Sequence, residues 1–213
     1  WYAYFAPYSM ERHEDLIAAA QQSERCAAEV LGETHDGQTI DMLTIGEAAE
    51  GRKPLWVFGR QHPGEPMAEW YMEGFIEAME RLGVDLSFDV HGDEAIPYNF
   101  IAGSYGVPGI TDAHVAMLDR FQATYAAMNP DFQTAHGYPK PAPGKGNLTT
   151  STGHIANRLG ALSMTLEMPF KDADNQPDPV HGWDGERSKI LGRSLVDVLL
   201  AVVDDLPPRM KRN

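Results

Sequence analysis

Four side chains capable of zinc chemistry stand where short apolar runs end. Leu55-Trp56-Val57-Phe58 stops at Gly59 and is followed by Arg60-Gln61-His62-Pro63-Gly64-Glu65, which sets an imidazole and a carboxylate in an H-x-x-E spacing. Leu86-Ser87-Phe88-Asp89-Val90 runs into His91, and Leu162-Ser163-Met164-Thr165-Leu166 ends on Glu167. Zinc-dependent hydrolysis needs such a set: three ligands that leave a coordination position for water, and one free carboxylate to take the water's proton. The H-x-x-E spacing alone is weak, because a turn histidine followed by a glutamate at a helix N-terminus satisfies it equally. On pattern alone, His62, Glu65 and His91 are either ligands of one ion or hydrogen-bonded groups at strand ends. Glu167 is either a base or a strand-end carboxylate in a surface ion pair.

Two neighbours fit supporting roles. Asp89 lies two residues before His91, so on a strand both point to one face, and Asp89 can orient a ligand imidazole or remain solvated. Arg60 lies two residues before His62 and can grip a substrate carbonyl or carboxylate, or serve as a structural arginine. His13, His35, His114, His136, His154 and His181 have no partner at metal-ligand spacing and read as surface or loop histidines. Tyr138, Lys145 and Arg158 precede Glu167 and are candidates for a pocket wall, with ordinary loop residues the simpler reading.

The elements that must position these groups follow from periodicity. Met67, Trp70, Tyr71, Phe75, Met79 and Leu82 recur at helical intervals after Glu65, so the first segment reads as strand, turn and amphipathic helix. Ligands of open α/β sheets bind at the carboxyl ends of the strands, where His62 and Glu65 would sit. Elsewhere the sequence predicts a strand over 1–6, a helix over 10–22 capped by Ser9, and strands over 26–30 and 39–45 joined at Asp36-Gly37. It also predicts a short strand over 97–102, helices over 111–128 and 154–159, and a closing helix over 188–203 with Ile190, Leu191, Leu195, Val198 and Leu199 inward. The proline- and glycine-rich stretch 132–146 reads as a loop over the site. Strands alternating with helices predict an α/β fold with a mixed central sheet and helices on both faces.

Composition narrows the partners. In 213 residues, Lys+Arg 17 against Asp+Glu 31 gives a net charge of −14, which argues against a nucleic-acid or anionic-membrane surface. The single cysteine, Cys26, excludes an internal disulfide framework and fits a reducing, cytoplasmic setting. No apolar run reaches the length of a membrane span, and no signal peptide is visible.

The R-x-H-P-G-E turn, the D-x-H-G strand end and the T-x-E strand end together resemble the cytosolic carboxypeptidases, a branch of the zinc metallocarboxypeptidases. The resemblance runs from about Tyr2 to the last helix and implies a carboxypeptidase-like fold with one zinc ion. It implies His62, Glu65 and His91 as ligands, Glu167 as general base, and the C-terminus of a peptide or protein as substrate. An N-acyl amino acid deacylase, or a binding domain that keeps the fold without turnover, are the alternatives. The chain departs from that family in two places. The expectation is that the family's preceding β-rich domain is missing, because the sequence as given starts too late to hold it. Only 25 residues separate Glu65 from His91, with no N-P-D-G segment and no Asn-Arg pair between them. The expectation is therefore one catalytic domain over 1–213, with a segment missing between Leu82 and Gly83.

Overall fold

The computed structural model describes residues 3–47, 55–79 and 86–207. The elements run α1 (Met10–Ala20), β1 (Cys26–Glu33), β2 (Thr39–Ile45), β3 (Trp56–Gly59), α2 (Pro66–Met79), β4 (Ser87–Asp93), β5 (Phe100–Gly103), α3 (Asp112–Met128), α4 (Ser151–Leu159), β6 (Ser163–Pro169) and α5 (Gly185–Val202). Four helices start on a side-chain cap: Ser9, Thr111, Thr150 and Asp184 each accept the N–H three residues on, which satisfies a donor the helix leaves open.

The central sheet has the order β3-β4-β6-β5, with β3, β4 and β6 parallel and β5 antiparallel. β1 and β2 form a separate antiparallel hairpin. The sheet is mixed, with helices on both faces, as the sequence predicts. Alternation along the strands sorts the two faces. Phe88, Val90, Met164, Leu166 and Met168 are fully buried in one core with Tyr71 of α2, Phe121 of α3 and Leu195 of α5. The opposite face is polar, and α4 lies over it: Ser163 donates to Ser87, the hydroxyls of Thr152 and Thr165 lie 2.7 Å apart, and Ser151 donates to Asp89. α2 and α5 cross closely because Gly74 and Gly192 face the partner helix; a Cβ at either position would strike the other main chain.

Several expectations change. Residues 3–6 form no strand. The Tyr4 hydroxyl donates to Gly64 O, and Ala6 O accepts from Trp70 Nε1, so this segment binds the turn after β3 and α2 instead of a sheet edge. Ile190 is 51% exposed, on the outer side of α5. α4 begins three residues earlier than predicted, since Thr150 caps it. His114, read as a surface histidine, is 3% exposed on α3, and burial pushes its imidazole pKa down. Leu82 and Gly83, where the missing segment is expected, lie outside the described residues. Among those described, no helix is long and apolar enough to cross a membrane.

Candidate metal centre

His62 and Glu65 lie on the turn between β3 and α2, and His91 lies near the carboxyl end of β4, the strand beside β3. The turn leaves the strand through Arg60, the only non-glycine residue with positive φ (57°) among those described. That conformation costs an L-residue about 1–2 kcal/mol and reverses the chain sharply after Gly59. Glu65 immediately precedes α2, and Ala68 N bonds to Glu65 O at 3.1 Å. Its carboxylate points back toward the strand ends, 3.1 Å from His91 Nδ1 on β4.

The three side chains converge. His62 Nδ1 is 2.8 Å from Glu65 Oε1, His91 Nδ1 is 3.1 Å from Glu65 Oε2, and the two Nδ1 atoms are 3.3 Å apart. Two nitrogens bound to one tetrahedral ion at zinc distances stand about 3.3 Å apart. Glu65 Oε2 is buried, and among the described residues its close polar neighbour, His91 Nδ1 at 3.1 Å, is not aligned to donate to it. A buried carboxylate oxygen without a partner is costly, and a cation removes that cost. Burial disfavours the charged form of His91, but the adjoining carboxylates of Asp89 and then Glu65 outweigh it and raise its pKa to about 10. The pocket favours positive charge at the point where the three donors meet. The donor set of two imidazoles and one carboxylate fits a metal ion with an open position.

Support around the ligands is uneven. Asp89, 2% exposed, lies 2.9 Å from His91 Nε2 and also accepts from Gln61 Nε2 at 2.7 Å and from Ser151. Its fixed carboxylate orients the His91 ring with Nδ1 inward, the arrangement metal-ligating histidines need. Among the described residues His62 has no such partner on Nε2, and its side chain is 64% exposed. Arg60, the predicted substrate grip, turns its guanidinium to Tyr8 O at 2.9 Å and Pro63 O at 3.3 Å.

Glu167 pairs in register with His91 across the β4–β6 ladder, so its carboxylate stands beside the triplet. Burial raises its pKa to about 8; the nearby His91 charge opposes this, while Glu65 and Asp93 add to it. Tyr138, from the loop over the site, donates to Asp93 Oδ2 at 2.5 Å, and its hydroxyl oxygen lies 3.4 Å from Glu167 Oε1. The loop is pinned there, for the rings of His136 and Tyr98 stack at 4.2 Å and Tyr138 packs edge-on to Phe100. Sequence reasoning weighed Tyr138 only as a possible wall and missed Asp93 and Ser151. Asp93 was legible: Asp89, His91 and Asp93 alternate along β4, so one face carries all three. Ser151 had no signal, because its contact with Asp89 crosses 62 residues.

No protein-family profile matches the sequence. The chain is 38% identical, over 271 aligned residues, to an uncharacterized protein of Zymomonas mobilis, covering 97% of this chain and 70% of the relative. That aligned stretch is longer than the 213 residues here, so the relative holds internal residues without a counterpart in this chain. A metallo-carboxypeptidase from Burkholderia cenocepacia is 31% identical with a TM-score of 0.88, covering 96% of this chain and 72% of the other. A metallo-carboxypeptidase from Pseudomonas aeruginosa, solved in complex with (2-guanidinoethylmercapto)succinic acid, is 32% identical with a TM-score of 0.87, covering 96% and 71%. With a converged His-Glu-His triplet at the strand ends and likeness along nearly its whole length, the chain belongs to the metallo-carboxypeptidase family.

Proposed function

We propose that this protein is a zinc-dependent carboxypeptidase that hydrolyses the C-terminal peptide bond of peptides or proteins in the cytoplasm, and that it sits with the cytosolic carboxypeptidases. The observation that carries the reading is the convergence of His62, Glu65 and His91 beside a buried Glu167. His62, Glu65 and His91 would hold one zinc ion, which when bound supplies Lewis acidity and lowers the pKa of water toward about 7. Glu167 takes the proton of the attacking water as its oxygen bonds to the scissile carbonyl carbon, and delivers that proton to the leaving nitrogen as the C–N bond breaks. Tyr138 and Asp93 hold the Glu167 side of the site, and Asp89 holds His91. The ligand of the Pseudomonas neighbour carries a succinic acid group, in keeping with a substrate that ends in a carboxylate.

We assign the relative's additional residues to the join between α2 and β4, where the expected Asn-Arg grip on that carboxylate is lacking. This favours a second reading, a metal-holding binding domain without turnover. Metal analysis combined with hydrolysis of C-terminal peptides and of N-acyl amino acids separates the readings. Zinc at one ion per chain with release of C-terminal residues is expected. Zinc without turnover would leave the binding domain, and turnover of acyl amino acids alone would leave the deacylase.

A further inference from the structure

His91 is oriented by Asp89, but the outer nitrogen of His62 has no hydrogen-bond partner among the described residues, so its ring is placed by the Nδ1 contact with Glu65 at 2.8 Å and by the main chain of its turn. That main chain is held by the segment before α1. Arg60 Nη1 donates to Tyr8 O at 2.9 Å and Nη2 to Pro63 O at 3.3 Å, so one guanidinium ties the N-terminal segment to the residue after His62. The Tyr4 hydroxyl donates to Gly64 O, the next carbonyl along. Tyr4 is itself stacked on Phe170, just beyond β6, at 5.3 Å. Arg60 takes a backbone conformation that L-residues avoid, with φ 57°, and the two hydrogen bonds keep it there.

We propose that Arg60 is a positioning residue for the metal site: with Tyr4 and Tyr8 it forms a brace that holds the Arg60–Glu65 turn so that His62 meets Glu65 and His91. The brace does for His62 through the backbone what Asp89 does for His91 through the ring. Losing a supporting group of this kind typically lowers metal affinity about 10–100-fold. The inference rests on the metal site of the proposed function and concerns what sets its affinity.

The test is zinc affinity of the full chain, measured against a competing chelator, for wild type, Arg60→Gly, Arg60→Lys and Tyr4→Phe. Glycine adopts the positive φ freely but cannot reach either carbonyl, so Arg60→Gly separates the hydrogen bonds from the backbone conformation. The expected result is zinc binding weakened about 10-fold or more in Arg60→Gly, less in Arg60→Lys and Tyr4→Phe, with thermal unfolding still cooperative in each. KM for a C-terminal peptide should stay near wild type at saturating zinc. Wild-type zinc affinity in Arg60→Gly with a raised KM would overturn the brace and restore the substrate grip. Absence of zinc binding by the wild type would remove the metal site, and the brace with it, whereas equal affinities in wild type and Arg60→Gly would remove the brace alone.

Discussion

Two clusters in this molecule use the same residue types and differ in what they can do. His62, Glu65 and His91 place donor atoms within 4.8 Å of one another around a common point. His13 of α1 lies instead between two carboxylates, with Nε2 3.0 Å from Asp41 of β2 and Nδ1 3.4 Å from Glu69 of α2. Its ring separates the two carboxylates, each facing a different nitrogen, so no shared point is left for an ion. Its pKa rises to about 9, first through the hydrogen bond to Glu69, with burial opposing and Asp41 adding to the rise. A proton satisfies both acceptors there. In the first cluster the two Nδ1 atoms and the Glu65 carboxylate instead face one another, at 2.8, 3.1 and 3.3 Å. The direction of the lone pairs, not the inventory of histidines and acids, separates a metal site from an ionic staple between α1, β2 and α2.

The contrast is sharpest under ligand removal. His91→Ala or Glu65→Gln should weaken zinc binding by more than the roughly 10–100-fold that loss of a supporting residue costs, while His13→Ala should leave it unchanged. Chelator competition on the three variants decides this, and an equal loss in His13→Ala would erase the distinction. Glu167→Gln should bind zinc like wild type yet lose turnover about 10²–10⁴-fold, because the base is removed and the ligands are not. Near-normal peptide hydrolysis by that variant would remove Glu167 from its role.

Asp89→Asn should lower zinc affinity about 10–100-fold without abolishing binding, since the ligand stays and its orientation weakens. The smallest effect belongs to the staple. The folded His13 pKa of about 9 lies above the ordinary histidine value of about 6.5, so protonation favours the folded state. That stabilisation is complete below about pH 6.5 and is lost as pH rises through about 9. His13→Ala should therefore be about 1–2 kcal/mol less stable than wild type in urea at pH 6, allowing for the screening of a partly exposed pair, and the gap should close above pH 9. A gap independent of pH would mean that His13 contributes packing and not charge.

Much of the site was legible because its signals are local. An apolar run broken at Gly59 with H-x-x-E beyond it, and strands ending at His91 and Glu167, fix residue type and position along the chain. The cap Ser9 and the hairpin turn at Asp36-Gly37 follow from short-range hydrogen bonding and turn chemistry, and they appear where the sequence puts them. What the sequence left open was direction and partnership. It could not decide whether the Arg60 guanidinium points to a substrate or to the carbonyls of Tyr8 and Pro63, because Tyr8 comes to that turn from 52 residues away. It could not separate His13, bridged between Asp41 and Glu69, from a surface histidine, because both partners arrive from other elements. Apolar spacing placed Ile190 inward with its neighbours, yet α5 meets α2 and α3 along a narrower stripe that leaves it exposed. The sequence by itself determined which groups could bind a metal and at which strand ends they stand. Tertiary structure decided which lone pairs meet at one point, since that depends on the register of β4 against β3 and β6 and on the N-terminal segment laid across the turn.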